Sequence, residues 1–133
     1  MALQFSATVR NALLDSIETA IGVSAVLKIR SGAAPADVAT ADSGTVLATL
    51  TLPSDWMNAA SGGTKTLLGT WQDASADATG TAGHFRIYAS DGTTKHIQGT
   101  VGTSATDMIV DSTSFTAGQA FTISTFTLTA PGA

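Results

Sequence analysis

The hydrophobic residues change period at Gly22, and no other feature restricts the fold as strongly. Before it, Val9, Leu13, Ile17 and Ile21 recur at four-residue steps with Leu14 beside them, while Arg10, Asn11, Asp15 and Glu18 fall largely on the other side. This is the stripe of an amphipathic helix, predicted over 6–21. Ser6 can cap its first turn, and Gly22 can take the left-handed conformation that ends it. The apolar face must lie against something: the chain's own sheet, or a neighbouring subunit. After Gly22 the apolar residues alternate, as they do on a strand half-buried on a pleated surface. Ala25, Leu27 and Ile29 share one face of a strand over 23–30, and Val46, Ala48, Leu50 and Leu52 share one face of a strand over 45–52.

Turn residues punctuate the alternation. Residues 31–44 are a small-residue loop containing Pro35, Asp37, Asp42 and Gly44, and Pro53 ends the second strand because proline removes a ladder donor. Leu47 interrupts an otherwise threonine-only face. Residues 54–83 are the least regular part, with a short strand available over 65–71 and a polar loop over 73–83. The clearest hairpin follows. Phe85, Ile87 and Ala89 face one way, and His84, Arg86 and Tyr88 the other. Asp91-Gly92 supplies the turn, and Ile97, Gly99 and Val101 return in phase over 95–101. A shorter strand covers 108–110. In the last strand, 120–129, the apolar phase shifts between Ile123 and Phe126, which predicts a bulge or burial on both faces. The expected fold is mainly β: an antiparallel β-sandwich or barrel-like single domain spanning 1–133, with one N-terminal α-helix at 6–21 and the β domain over 23–130. A parallel α/β arrangement would need helices between the strands.

Composition narrows the function. The chain has no cysteine, so disulfides and thiolate chemistry are excluded. The six cations, Arg10, Lys28, Arg30, Lys65, Arg86 and Lys95, form no run, and the formal net charge is −4. The electrostatic footprint of a nucleic-acid binder is missing. The N-terminal residues lack a basic segment followed by an apolar core, and the longest apolar run, near 20–27, is far shorter than the ~20 residues of a membrane span. A protein made in the cytoplasm, with no nucleic-acid or membrane partner, is expected.

The candidate chemistry is sparse. His84 and His96 lie on neighbouring hairpin strands with Asp91 in the turn between them. A catalytic metal site usually takes three protein ligands, and no spacing here supplies the third. Both histidines are therefore expected to be exposed or at an interface, where a shared face would make a contact sensitive to pH. Gly99-Thr100-Val101-Gly102 lacks the Lys-Ser/Thr ending of a phosphate loop and any following helix, and reads as a glycine that loosens or bends a strand. Asp73 and Asp77 read as solvated turn residues, because a calcium loop needs more oxygens and a bidentate Glu. Trp56 and Trp71 are expected to fill the core, with an interface anchor as the alternative. No catalytic, cofactor-binding or metal-ligating residue is assigned, and the chain is not expected to be an enzyme.

Residues 78–102, reading Ala-Thr-Gly-Thr-Ala-Gly-His-Phe-Arg-Ile-Tyr-Ala-Ser-Asp-Gly-Thr-Thr-Lys-His-Ile-Gln-Gly-Thr-Val-Gly, are followed by Asp107-Met108 and by Gly118-Gln119-Ala120-Phe121-Thr122-Ile123. With Leu47-Ala48-Thr49-Leu50, these segments resemble a group of small virion-associated proteins of tailed bacteriophages, over roughly 25–130. The resemblance implies a structural protein of the virion, most readily a capsid decoration or minor capsid protein. It would hold the major capsid protein or other virion proteins through buried area and strand-edge pairing, and would be a homo-oligomer, with a trimer the simplest match to a shell's three-fold sites. The helix and residues 31–44 and 54–83 are the expected contact regions. A tail, connector or adsorption component, or a carbohydrate-binding sandwich using Trp56, Trp71 and Tyr88, are the alternatives.

Overall fold

The computed structural model describes residues 3–133. Helix α1 spans Ala7–Ile21 and is followed by nine strands: β1 (Val26–Ser31), β2 (Val46–Thr51), β3 (Thr64–Thr66), β4 (Gln72–Asp73), β5 (Gly80–Tyr88), β6 (Lys95–Gly102), β7 (Met108–Val110), β8 (Ser114–Phe115) and β9 (Phe121–Thr129). Ser6 caps the helix by accepting the Val9 N–H, and Gly22 ends it at φ 93°. The strands run β2-β1-β5-β6-β7-β9-β3 in one curled, mostly antiparallel sheet. The chain is thus mainly β with one N-terminal helix, as its periodicity implies. Among the described residues β6 and β7 make the one parallel contact, Val101 with Met108 and Gly102 with Ile109. It is short enough for a turn over 103–107 to close it without a crossover helix. Asp107 pins that turn by accepting from the Thr100 backbone and hydroxyl.

Bulges explain where simple alternation fails. Ile29 pairs with Ala48 but Arg30 pairs with Val46, so Leu47 is the extra residue on β2. The bulge turns Leu47 into the core, away from the threonine face on which alternation places it. Between β7 and β9 the partners step from Thr125 to Ile123, leaving Ser124 unpaired at the phase shift seen in the sequence. Between β5 and β6 the partners step from Ile97 to Lys95, and the residue left out is His96.

The concave side holds the core, where aromatic rings run in series. Trp56 and Trp71 lie 6.0 Å apart between centroids, Trp71 and Phe126 5.6 Å, and Phe126 meets Phe85 edge-on at 5.5 Å. Each indole N–H has a partner, Trp56 donating to the Gly22 carbonyl and Trp71 to the Trp56 carbonyl. Gly99 makes room for Phe85, since a Cβ there would stand 2.7 Å from the ring. Its value is close approach and not a loosened strand.

Phe126 joins β9 to both halves of this series. Phe126→Ala should cost about 3–5 kcal/mol in urea unfolding followed by tryptophan emission, with an unchanged denaturant slope. A loss under about 1 kcal/mol would mean that the site collapses around the smaller side chain.

Candidate functional site

The interior strand β5 is buried on both faces from His84 to Tyr88. Phe85 and Ile87 enter the core, and His84, Arg86 and Tyr88 on the other face are equally covered. The cover is the segment 32–44, which crosses that face as a strap. Arg86 is the centre of the contact. Its Nε and Nη2 donate to Gln98 Oε1 at 3.2 and 2.9 Å, Nη2 also to the Asp37 carbonyl at 3.0 Å, and Nη1 to the Thr40 carbonyl and Asp42 Oδ1, both at 2.8 Å. Asp42 also accepts from Arg30 Nη2 at 3.0 Å and from the Tyr88 hydroxyl at 2.9 Å. Burial works to raise the Asp42 pKa. The Tyr88 and Arg86 hydrogen bonds and the Arg30 and Arg86 charges outweigh it and hold the carboxyl below its ordinary value. The same burial raises the Tyr88 hydroxyl.

The histidines do not meet. β5 pairs with β6 so that His84 stands opposite Thr100, and the bulge puts His96 out in solvent. His84 is fully buried, with Nδ1 2.9 Å from the Gly32 carbonyl. The strap covers it, so the expectation of two exposed or interfacial histidines is corrected at His84. Asp91 closes its own turn by accepting the Thr93 and Thr94 N–H groups, and the Thr94 hydrogen bonds hold its carboxyl well below the usual carboxylate range. Asp73 and Asp77 are not merely solvated. Asp73 accepts the Thr49 N–H at 3.0 Å, Asp77 accepts the Thr49 hydroxyl at 2.7 Å, and the Asp77 N–H donates to the Leu47 carbonyl at 2.7 Å. Together they cover the outer edge of β2. Trp56, Trp71 and Tyr88 are all buried, so none offers an exposed stacking platform for a sugar. No three His, Asp or Glu side chains among the described residues gather as metal ligands.

The helix docks in an unexpected orientation. Its three charged side chains and Asn11 point at the segment 57–65, not at solvent. Asn11 accepts the Gly63 N–H at 2.8 Å, Asp15 the Ala60 N–H at 2.9 Å, and Glu18 the Met57 N–H at 3.3 Å. Helix positions spaced four and three apart thus meet every third amide of an extended segment. Lys65, nearly fully buried, lies between Asp15 at 2.7 Å and Glu18 at 3.0 Å. The Lys65 hydrogen bond, then the Ala60 amide, hold the Asp15 carboxyl below its ordinary value. Burial works to lower the Lys65 ammonium, but the two carboxylates win and raise it. Arg10 donates to the Gly62 carbonyl at 2.9 Å. Leu14 and Ile21 are the helix's buried residues.

The opposite face is the consequence. Val9 is 44% exposed and Leu13 43%, in line with Phe5 at 38%, while Leu3 at 77% and Val23 at 65% extend the apolar surface at the helix ends. Thr8, Ala12, Ser16, Thr19 and Ala20 complete this face, and none carries a charge. On the seam side, an open groove of about 510 Å³ lined by Asp15, Glu18, Lys65 and Asp55 reaches Thr19 and Val23 at the C-terminal end of the helix. The apolar stripe is thus divided: Leu14, Ile17 and Ile21 lie against the chain itself, Val9 and Leu13 are left uncovered, and the polar seam fixes the helix's rotation. Compared with known proteins, the chain matches no family model, no curated protein and no solved structure.

Removing Lys65 tests the seam. Lys65→Met leaves Glu18 and Asp15 facing each other without a cation, and should lower stability by about 1–3 kcal/mol at pH 7. Asp15 has a lowered folded pKa, so its contribution is complete above the ordinary Asp range and is lost as pH falls through the folded value. Lys65 is raised, so its contribution is lost only as pH rises past the ordinary Lys range. The gap between wild type and variant in urea midpoints should be widest between about pH 5 and 10 and narrow below about 4. A gap independent of pH would mean that packing, not charge, holds the helix.

Proposed function

We propose that this chain is a structural protein of a tailed-bacteriophage virion, most specifically a decoration or cement protein that binds the assembled capsid shell. The observation that carries the reading is the uncharged apolar face of α1. An apolar row on the outside of a helix whose polar side is already used has no task within the chain, and exposed apolar patches mark interaction surfaces. The resemblance of the β segments to virion-associated proteins supplies the setting. Both sheet margins are occupied, β2 by Asp73 and Asp77 and the 57–65 segment by the helix. Contact through side-chain area thus fits better than strand-edge pairing. A protein that binds the assembled shell and not its free subunits stabilises the assembled state by mass action.

Copy number separates this location from a tail or vertex position. Mass spectrometry of purified virions should count on the order of hundreds of copies, as a symmetric shell offers, and a small multiple of three or six would move the protein to the tail or a vertex. Absence from the virion would remove the proposal. Leu13→Asp tests the surface. An exposed substitution should leave stability within about 0.5 kcal/mol and weaken shell binding by about 30-fold or more, as loss of an interface hot spot does. Unchanged binding would acquit the helix.

A further inference from the structure

We propose that residues 32–44 form a strap that opens as a unit while the rest of the domain stays folded, and that Asp42 is the latch. The base of the strap is already closed on itself, since the Ser31 N–H donates to the Thr45 carbonyl at 3.0 Å and the Thr45 N–H to Ser31 Oγ at 2.9 Å. This is the form of an Ω-loop, whose ends meet and whose body lies on the surface. No side chain of the strap is buried, and Ala34, Pro35 and Val38 are only half-covered. Apolar area therefore does not hold it down. Side chains of the sheet do, by reaching up to its backbone: Arg86 to Asp37 and Thr40, Gln98 to Pro35, His84 to Gly32. The Asp37 carboxylate is spent within the strap on Thr40. The carboxylate that reaches down to the sheet is Asp42, and it takes three bonds there, from Arg30, Arg86 and Tyr88.

Such an attachment separates cleanly. Lifting the strap hydrates Arg30, His84, Arg86, Tyr88 and Gln98, all carrying polar groups, and leaves the aromatic core on the opposite face of β5 untouched. The groups lost are hydrogen bonds that water replaces, and the strap regains its conformational freedom. Segments of this kind populate the low-stability end of a fold's local openings. Opening also changes the charge of the surface. Closed, the strap brings Asp42 against Arg30 and Arg86. Open, β1 and β5 present Lys28, Arg30 and Arg86 on one face with no carboxylate beside them, in a chain whose net charge is −4. The strap is a device that hides or shows a cationic face, wherever the protein resides.

Tyr88 reports the opening, being the only tyrosine of the chain and buried beneath the strap. The experiment is nitration of the native protein by tetranitromethane, followed by mass, with tryptophan emission and helix circular dichroism recorded alongside. Asp42→Asn should nitrate about tenfold faster or more, since three bonds to a carboxylate are weakened, while both folding signals stay native. A rate unchanged from wild type would overturn the latch. Nitration that rises only as tryptophan emission is lost, or an Asp42→Asn chain that does not fold, would show that the strap belongs to the cooperative core, and would overturn the proposal as well.

Discussion

A guanidinium with no exposure to solvent is the constraint around which this domain is arranged. Arg86 sits on the interior strand β5, and burying a charge costs several kcal/mol unless its hydrogen bonds are all made and a counter-charge is near. Five N–H groups in a fixed planar fork need acceptors placed to suit. Gln98 from the neighbouring strand, two carbonyls of the strap and the Asp42 carboxylate supply them. On the strap the acceptors are backbone carbonyls and one acid, so the strap needs no fully buried apolar side chain of its own. A run mostly of small residues, with Val38 and Pro35 its only larger apolar side chains, could bury little by itself and is ordered by what lies beneath it.

The helix repeats the logic at the other margin of the sheet. An extended segment such as 57–65 has amides that its partner strand cannot use, and an unpaired edge invites aggregation. Asn11, Asp15 and Glu18 take three of those amides, and Lys65 neutralises the acids that do so. These two arrangements and the Lys28 bond to the Gly92 carbonyl take up most of the chain's positive charge. Arg10, Lys28, Arg30, Lys65 and Arg86 are all bonded to acceptors of the chain itself. Little cationic surface remains to attract a phosphate backbone while the strap is closed.

Legibility in the sequence followed the range of the interaction. The helix, the Asp91-Gly92 hairpin and the bulge in the last strand are written in residues near one another, and all three are where periodicity and turn chemistry put them. The start of β5 was not legible, because Gly80–Gly83 carries no apolar signal and its pairing to β1 and β8 is made by backbone. Leu47 and His96 moved because a bulge changes side-chain parity, and parity is all that alternation reads. The polar cluster was the least visible. Arg86 meets partners 44 to 49 positions away, most of them carbonyls without a side-chain signature. The outward turn of the helix was hidden for a different reason. A stripe announces that two faces differ, and it does not say which one the rest of the chain will cover.

That ambiguity bears on function. An amphipathic helix in a globular domain ordinarily settles with its apolar side inward, because burying a Leu or Val side chain contributes about 1.5–3 kcal/mol. Here Leu14 and Ile21 supply that contribution from one side of the stripe while the acids beside them fix the rotation, and Val9 and Leu13 are left over. Rotating the helix to bury them would draw Asp15 and Glu18 away from Lys65 and uncover the amides of 57, 60 and 63. The exposed row is therefore held in place by the interactions that close the sheet edge. Such a row is preorganised: a partner that covers it meets a helix already fixed in orientation, and little conformational freedom is lost on contact.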